Sequence, residues 1–233
     1  MSAVAKELLA PLARYPGVEE EITADGELSL RLRGFEFAHA AGESATFREM
    51  PLRQSDLGEA HEDLEELARI RVGDSRYRNH PFYTRAPERW MESLLKAGIS
   101  ALSMGLAEGP VYSQTLSVAG PARGVIDLLT VTRGGRLVVL ELKADEDPQL
   151  PLQGLDYWMR AKWHLERGDF RARGYFPGCR LSAEPPLLWL VFPSIRLHAV
   201  NEIVLKYFSP AVPVTLLGVN EDWRKGLRVV FRG

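Results

Sequence analysis

Cysteine is nearly missing from this chain: Cys179 is the single one in 233 residues. One thiol closes no internal disulfide and builds no thiolate zinc site. Apolar runs are short. None approaches the ~18 residues of a membrane-spanning helix, and Glu7 falls where the apolar core of a signal peptide would begin. Charge of neither sign dominates, since 29 Lys and Arg against 31 Asp and Glu leave a formal net charge of -2. A uniformly basic nucleic-acid binder is thereby excluded, while a local basic groove is not. Internal repeats and low-complexity tracts are missing too, which argues against solenoids and disordered tails. What remains is a globular balance, 45% hydrophobic and 26% charged. The expectation is a soluble protein of a reducing cytoplasm, without a membrane partner, built as one large domain or one ordinary domain with a small one appended.

Residues 3–13 carry Val4, Leu8, Leu9 and Leu12, a short helical stripe. Glu21 to Leu28 reads as a hairpin around Asp25-Gly26, whose turn twist matches paired strands. Leu28, Leu30 and Leu32 then share one face, and Ser29, Arg31 and Arg33 the other, a strand with one side buried and one wet. Leu57, Leu64, Leu67 and Ile70 recur at helical spacing over 55–71, with Ser55 placed to cap. Residues 1–71 are expected as a small α+β lobe. Residues 72–86 show no period and hold Arg76, Arg78, His80, Pro81 and Arg85, which predicts a linker.

From Pro87 a domain over 87–233 is expected. Pro87 and Glu88 suit a helix start, and Met91, Leu94, Leu95 and Gly98 form its buried stripe. Strands are predicted over 111–118, 124–131 and 137–143, a helix over 149–167, a strand over 187–192, a helix over 200–208, and strands over 212–219 and 227–231. That order predicts an α/β fold of the α+β kind, a mixed sheet flanked by helices.

Leu137 to Leu140 is apolar at every position, the mark of a strand covered on both faces. It runs into Glu141-Leu142-Lys143, so two charges emerge on one face where a buried strand ends. By itself that pair reads as a strand-end salt bridge. Asp127 changes the reading. It sits in the apolar strand Gly124 to Val131, joined to the next through Arg133-Gly134-Gly135. A three-residue loop pairs 132 with 136 and therefore 127 with 141; a two-residue loop puts them on opposite faces. Two adjacent carboxylates repel unless a cation lies between them, and an oxygen-only set without His or Cys suits a hard ion, Mg²⁺ or Mn²⁺. Gln153 and Tyr157, four apart, share a face of the following helix, their polar ends fitting the wet edge of such a site. Trp158 and Trp163 read as core. Glu92 borders the buried stripe of the first helix, whereas Glu88 reads as solvated. His164 and His198 have no partner at ligand spacing and read as structural, and Gly134-Gly135 is a turn rather than a phosphate loop.

In order, Glu92, Gly124-Val125-Ile126-Asp127, Glu141-Leu142-Lys143 and Gln153 with Tyr157 resemble the PD-(D/E)XK nuclease superfamily. The Gln153 and Tyr157 pair points to its RecB-like branch. The resemblance covers roughly residues 86–192, and Ile126 stands where the naming motif has Pro. It implies a restriction-endonuclease-like core and hydrolysis of nucleic acid, DNA ahead of RNA. Asp127 and Glu141 would hold Mg²⁺ or Mn²⁺, with the Leu142 backbone carbonyl as a further ligand and Glu92 at a second ion or its waters. Lys143 would orient the attacking water or stabilise charge on the phosphate. Gln153 would orient the site and Tyr157 would contact the backbone of the nucleic acid.

Arg160, Lys162, Arg167, Arg171 and Arg173 cluster after Tyr157, and Arg69, Arg71, Arg76, Arg78, Arg85 and Arg89 cluster before the domain. Each run alone reads as a solvated face; together they flank the proposed site, and the first run is the candidate nucleic-acid contact. Two other classes compete with the nuclease: a non-catalytic nucleic-acid-binding or regulatory module that keeps the fold, and a structural domain whose charges are ordinary ion pairs. Metal-dependent cleavage lost in Lys143→Ala separates the first from both.

Overall fold

A computed structural model describes residues 3–23, 25–117 and 124–233. The fold is α+β, with two sheets and several helices. The chain divides into two compact units, Met1–Ser93 and Leu94–Gly233.

In the first unit, helix α1 (Ala3–Ala13) precedes an antiparallel sheet of five strands in chain order. These are β1 (Val18–Ile22), β2 (Leu28–Leu32), β3 (Phe35–Ala41), β4 (Ser44–Phe47) and β5 (Met50–Pro51). Helix α2 (Leu57–Ile70) and the single turn α3 (Pro81–Thr84) follow. The β1–β2 hairpin has the predicted place, with Ile22 opposite Leu28. Leu28, Leu30 and Leu32 pack with Leu9 and Leu12 of α1 and Leu64 and Leu67 of α2 in one core.

Three local expectations fail here. Val4 is 71% exposed: the buried stripe of α1 contains Leu9 and Leu12 as predicted, but Ala5 takes the place expected for Val4. Ser55 does not cap α2: Gln54–Asp56 form a 3-10 turn, and Asp56 is the cap residue, its carboxylate accepting from the Arg53 N–H. The outer face of β2 is not simply wet, because Ser29 is fully buried. Its hydroxyl donates to Glu36 at 2.6 Å and accepts from Arg31 at 3.0 Å, and Arg31 also pairs with Glu21 at 3.3 Å. A roof of ion pairs covers this face.

Residues 72–86 lie within the first unit. Arg71, expected on a charged surface, is fully buried instead. Its guanidinium donates to the carbonyls of Arg33, Phe82, Arg85 and Ala86 and lies 4.6 Å from the Trp90 ring. These bonds fasten the segment before helix α4 (Pro87–Ala97), through which the chain passes into the second unit.

The second unit contains β6 (Tyr112–Ser117), β7 (Gly124–Val131), β8 (Leu137–Leu142), α5 (Leu150–Glu166), the short α6 (Asp169–Ala172), β9 (Leu187–Pro193), α7 (Ala199–Leu205), β10 (Val214–Val219) and β11 (Val229–Arg232). From α4 the order is that predicted, apart from α6. The sheet runs β11-β10-β9-β8-β7-β6; the pairs of β9 with β8 and with β10 are parallel and the others antiparallel. Strand β8 is buried at all six positions, as its unbroken apolar run requires.

The β7–β8 connection is the three-residue loop. Leu128 stands opposite Leu140 and Val131 opposite Leu137, and the Thr132 N–H donates to the Arg136 carbonyl at 2.8 Å. Gly135 has φ +80°, and a Cβ there would collide with the Arg180 carbonyl, so the turn excludes other residues. Helix α5 lies flat on the sheet because Gly154 admits it: a Cβ would come 2.6 Å from Leu190 Cδ2. No helix among the described residues is long and apolar enough to cross a membrane.

Candidate active site

Register decides which side chains meet. With 128 opposite 140, Asp127 stands opposite Glu141 on the same face of the sheet. Leu137, Val139, Glu141 and Lys143 alternate onto that face, where Val139 and Leu190 pack with residues of α5. Glu141 pairs in register with Leu190, the residue that Gly154 approaches, so α5 passes directly over the carboxylates.

Asp127 Oδ2 accepts from the Leu142 N–H at 2.9 Å, a side chain taking a backbone donor at the open end of the hairpin. Glu141 is 2% exposed. Its Oε1 is 3.1 Å from Lys143 Nζ, and its Oε2 is buried with no hydrogen-bond donor. Burial, and then the charge of Asp127, push the Glu141 carboxyl up to about 9 against the pull of Lys143. For Lys143 burial acts downward, but the charge and hydrogen bond of Glu141, then Asp127 and Asp147, outweigh it and raise the pKa. The two directions draw on one interaction. A Glu141 still protonated near neutrality cannot offer Lys143 a full charge, so the shift that stands is that of Glu141, where burial and Asp127 act together. Lys143 is an ammonium in either case.

Gln153 and Tyr157 lie on the turns of α5 that flank Gly154. Gln153 Oε1 is buried with no hydrogen-bond donor. The Tyr157 hydroxyl is held above its ordinary pKa, first by burial and then by the charges of Glu141 and Asp127, which ties it electrically to the carboxylates. Asp127, Glu141, Lys143 and Tyr157 are thus gathered at one end of β8.

These residues fit a divalent cation in chemistry. Two carboxylates side by side, one buried oxygen without a donor, and a carboxyl forced up by burial and then by its neighbour all describe a place that positive charge would relieve. Among the described residues, no group of three or more His, Cys, Asp or Glu side chains surrounds one point. Two carboxylates with a backbone carbonyl and water are nonetheless a sufficient oxygen set for Mg²⁺, which keeps several waters when bound.

Glu92 belongs to the first unit, where it is buried and meets Arg89 at 3.1 Å. Helix α5 runs away from the carboxylates: Trp158 Nε1 donates to the Pro186 carbonyl, just before β9 begins. Beyond it, the Ser182 N–H donates to the Gly135 carbonyl at the hairpin turn, the opposite end of β8. From Gln153 to Arg167 the helix rises by about 20 Å, so Arg167, Arg171 and Arg173 are not gathered with the carboxylates. Arg160 pairs with Asp156 at 2.9 Å, Lys162 pairs with Glu166, and Arg167 lies 4.5 Å over the Trp163 ring; Arg171 and Arg173 are exposed. Trp158 is core as predicted, whereas Trp163 is 44% exposed. His164 bonds Asp169 at 2.7 Å, and His198 accepts from the Val200 N–H at the start of α7, both structural roles.

Sequence reasoning passes over Asp147 and Asn201. Asp147 Oδ2 is 3.6 Å from Lys143 Nζ, and Asn201 of α7 donates to the Asp147 carbonyl at 3.0 Å. The acidic run Asp145-Glu146-Asp147 just after Lys143 is a usable signal for the first; nothing local marks the second. No family model, no curated protein and no solved structure matches the chain.

Proposed function

We propose that the second unit is a metal-dependent nuclease of PD-(D/E)XK type with a restriction-endonuclease-like core, hydrolysing phosphodiester bonds of nucleic acid, DNA ahead of RNA. The observation that carries this reading is the abutment of Asp127 and Glu141 on one face, with Lys143 3.1 Å from Glu141. The element order from α4 through β9 supports it.

Asp127 and Glu141 would hold the ion, Mg²⁺ or Mn²⁺, together with the Leu142 carbonyl. A divalent cation supplies Lewis acidity and lowers the pKa of coordinated water. Lys143 orients the attacking water and places a fixed positive charge beside the phosphate as its negative charge grows. Burial matters here, because charge stabilisation is stronger where bulk water is thin. Tyr157 keeps its proton and donates from the rim to a phosphate oxygen. Gln153 directs its amide toward the same site from the turn above.

The test is cleavage of a panel of labelled single- and double-stranded DNA and RNA with Mg²⁺, Mn²⁺ or EDTA. The reading expects metal-dependent cleavage that disappears in Lys143→Ala. Binding of nucleic acid without cleavage in the wild type would favour the non-catalytic module, and cleavage by Lys143→Ala at the wild-type rate would remove the role given to Lys143.

A further inference from the structure

Lys143 has two carboxylates in reach. Its ammonium lies 3.1 Å from Glu141 Oε1 and 3.6 Å from Asp147 Oδ2. Asp147 is firmly held for a residue on a connection between strand and helix. Its Oδ1 accepts from the Gln149 N–H at 2.8 Å. Its carbonyl accepts from Leu150 at 3.4 Å and from Asn201 Nδ2 at 3.0 Å. Asn201 is 1% exposed, so its amide donates from a dry place, where a lost bond is not replaced by water. The second carboxylate oxygen of Asp147 is the one turned to Lys143.

The two partners are not equivalent. Glu141 is a ligand in the reading above, and an ammonium 3.1 Å from its oxygen opposes any second cation there. Asp147 carries no such duty. Resting on that reading, we propose that Asp147, anchored through Asn201, is a positioning residue that keeps the Lys143 ammonium when Glu141 turns to a divalent ion. It holds Lys143 inside the site while taking it off the ligand oxygen. Without Asp147 the ammonium has Glu141 as its nearer carboxylate and competes with the ion for the same oxygen.

The experiment is a calorimetric titration of Mn²⁺ alone, without nucleic acid, into four proteins: wild type, Asp147→Asn, Lys143→Met and the double variant. Asn at 147 keeps an acceptor for the Gln149 N–H and the backbone carbonyl for Asn201, so the change is one of charge. Asp147→Asn is expected to weaken Mn²⁺ about tenfold when Lys143 is present. In the Lys143→Met background the same change should alter affinity by less than about twofold, and Lys143→Met alone should tighten binding. Asn201→Ala should weaken Mn²⁺ in the same direction by a smaller factor; if that variant does not fold, the Asp147 cycle decides alone. Equal weakening in both backgrounds would mean only a lost charge, and no weakening in either would mean no role; both overturn the positioning proposal while the metal reading stands. A wild type that binds no Mn²⁺ overturns both.

Discussion

Arg71 in the first unit and Glu141 in the second are both buried charged side chains, and the fold treats them in opposite ways. Arg71 donates four hydrogen bonds to backbone carbonyls and lies over an aromatic ring. Glu141 has Lys143 on one oxygen, a second carboxylate beside it, and no donor on the other oxygen. A buried polar group that is fully satisfied holds a structure together; one left half satisfied is a standing liability. The contrast sets a buried charge that ties backbone together apart from one that is left open to a further partner.

The sharpest break would come at the carboxylates. Asp127→Asn should reduce cleavage by about 10³-fold or more and lose Mn²⁺ binding with it. Lys143→Ala should lose cleavage to a similar degree and keep Mn²⁺. Single-turnover cleavage and calorimetry on the same preparations check both. Next comes the structural charge. Arg71→Met removes the guanidinium bonds to four carbonyls, of which that of Ala86 keeps the Trp90 N–H, and it should lower stability by about 3–5 kcal/mol in urea unfolding. A loss below about 0.5 kcal/mol, the size of a surface change, would erase the contrast.

A third prediction concerns pH. Glu141 has a folded pKa of about 9 against an ordinary 4.5. Across that window the native state binds more protons than the unfolded one, so metal-free stability should fall as pH rises from about 4.5 toward about 9. Glu141→Gln should flatten that slope and stabilise the metal-free protein at pH 8 by about 2 kcal/mol while abolishing cleavage. Melting temperatures across pH, with and without Mg²⁺, read this directly. The smallest effect belongs to the far end of α5. Arg171→Ala with Arg173→Ala should leave cleavage within about twofold and the salt dependence of binding unchanged. A shallower slope would extend the substrate path to the hairpin end.

The pairing of Asp127 with Glu141 was legible in the sequence through parity. A loop of three residues fixed the register, and register put Asp127, Glu141 and Lys143 on one face. Strands β3 to β5 were not legible. In β3 the buried set is Phe35, Phe37, Ala38 and Ala40, because a bulge against β2 between Leu30 and Arg31 shifts the alternation in mid-strand. The place of Arg71 was hidden for a different reason: its acceptors are main-chain carbonyls, which no side-chain pattern announces. The basic run after Tyr157 was visible, but adjacency in sequence along a helix is distance in space, so Arg167, Arg171 and Arg173 do not gather beside the carboxylates.

Arg71 also governs where this protein can be divided. A fragment starting at Val72 would hold the carbonyls of Phe82, Arg85 and Ala86 and leave their guanidinium behind; one ending at Arg71 would hold the guanidinium and lose three of its acceptors. Halves separated after Ser93 keep the clasp whole. A protease nick at exposed Arg76 or Arg78 should cut the chain yet leave its two pieces joined, with Arg71 as the rivet between them.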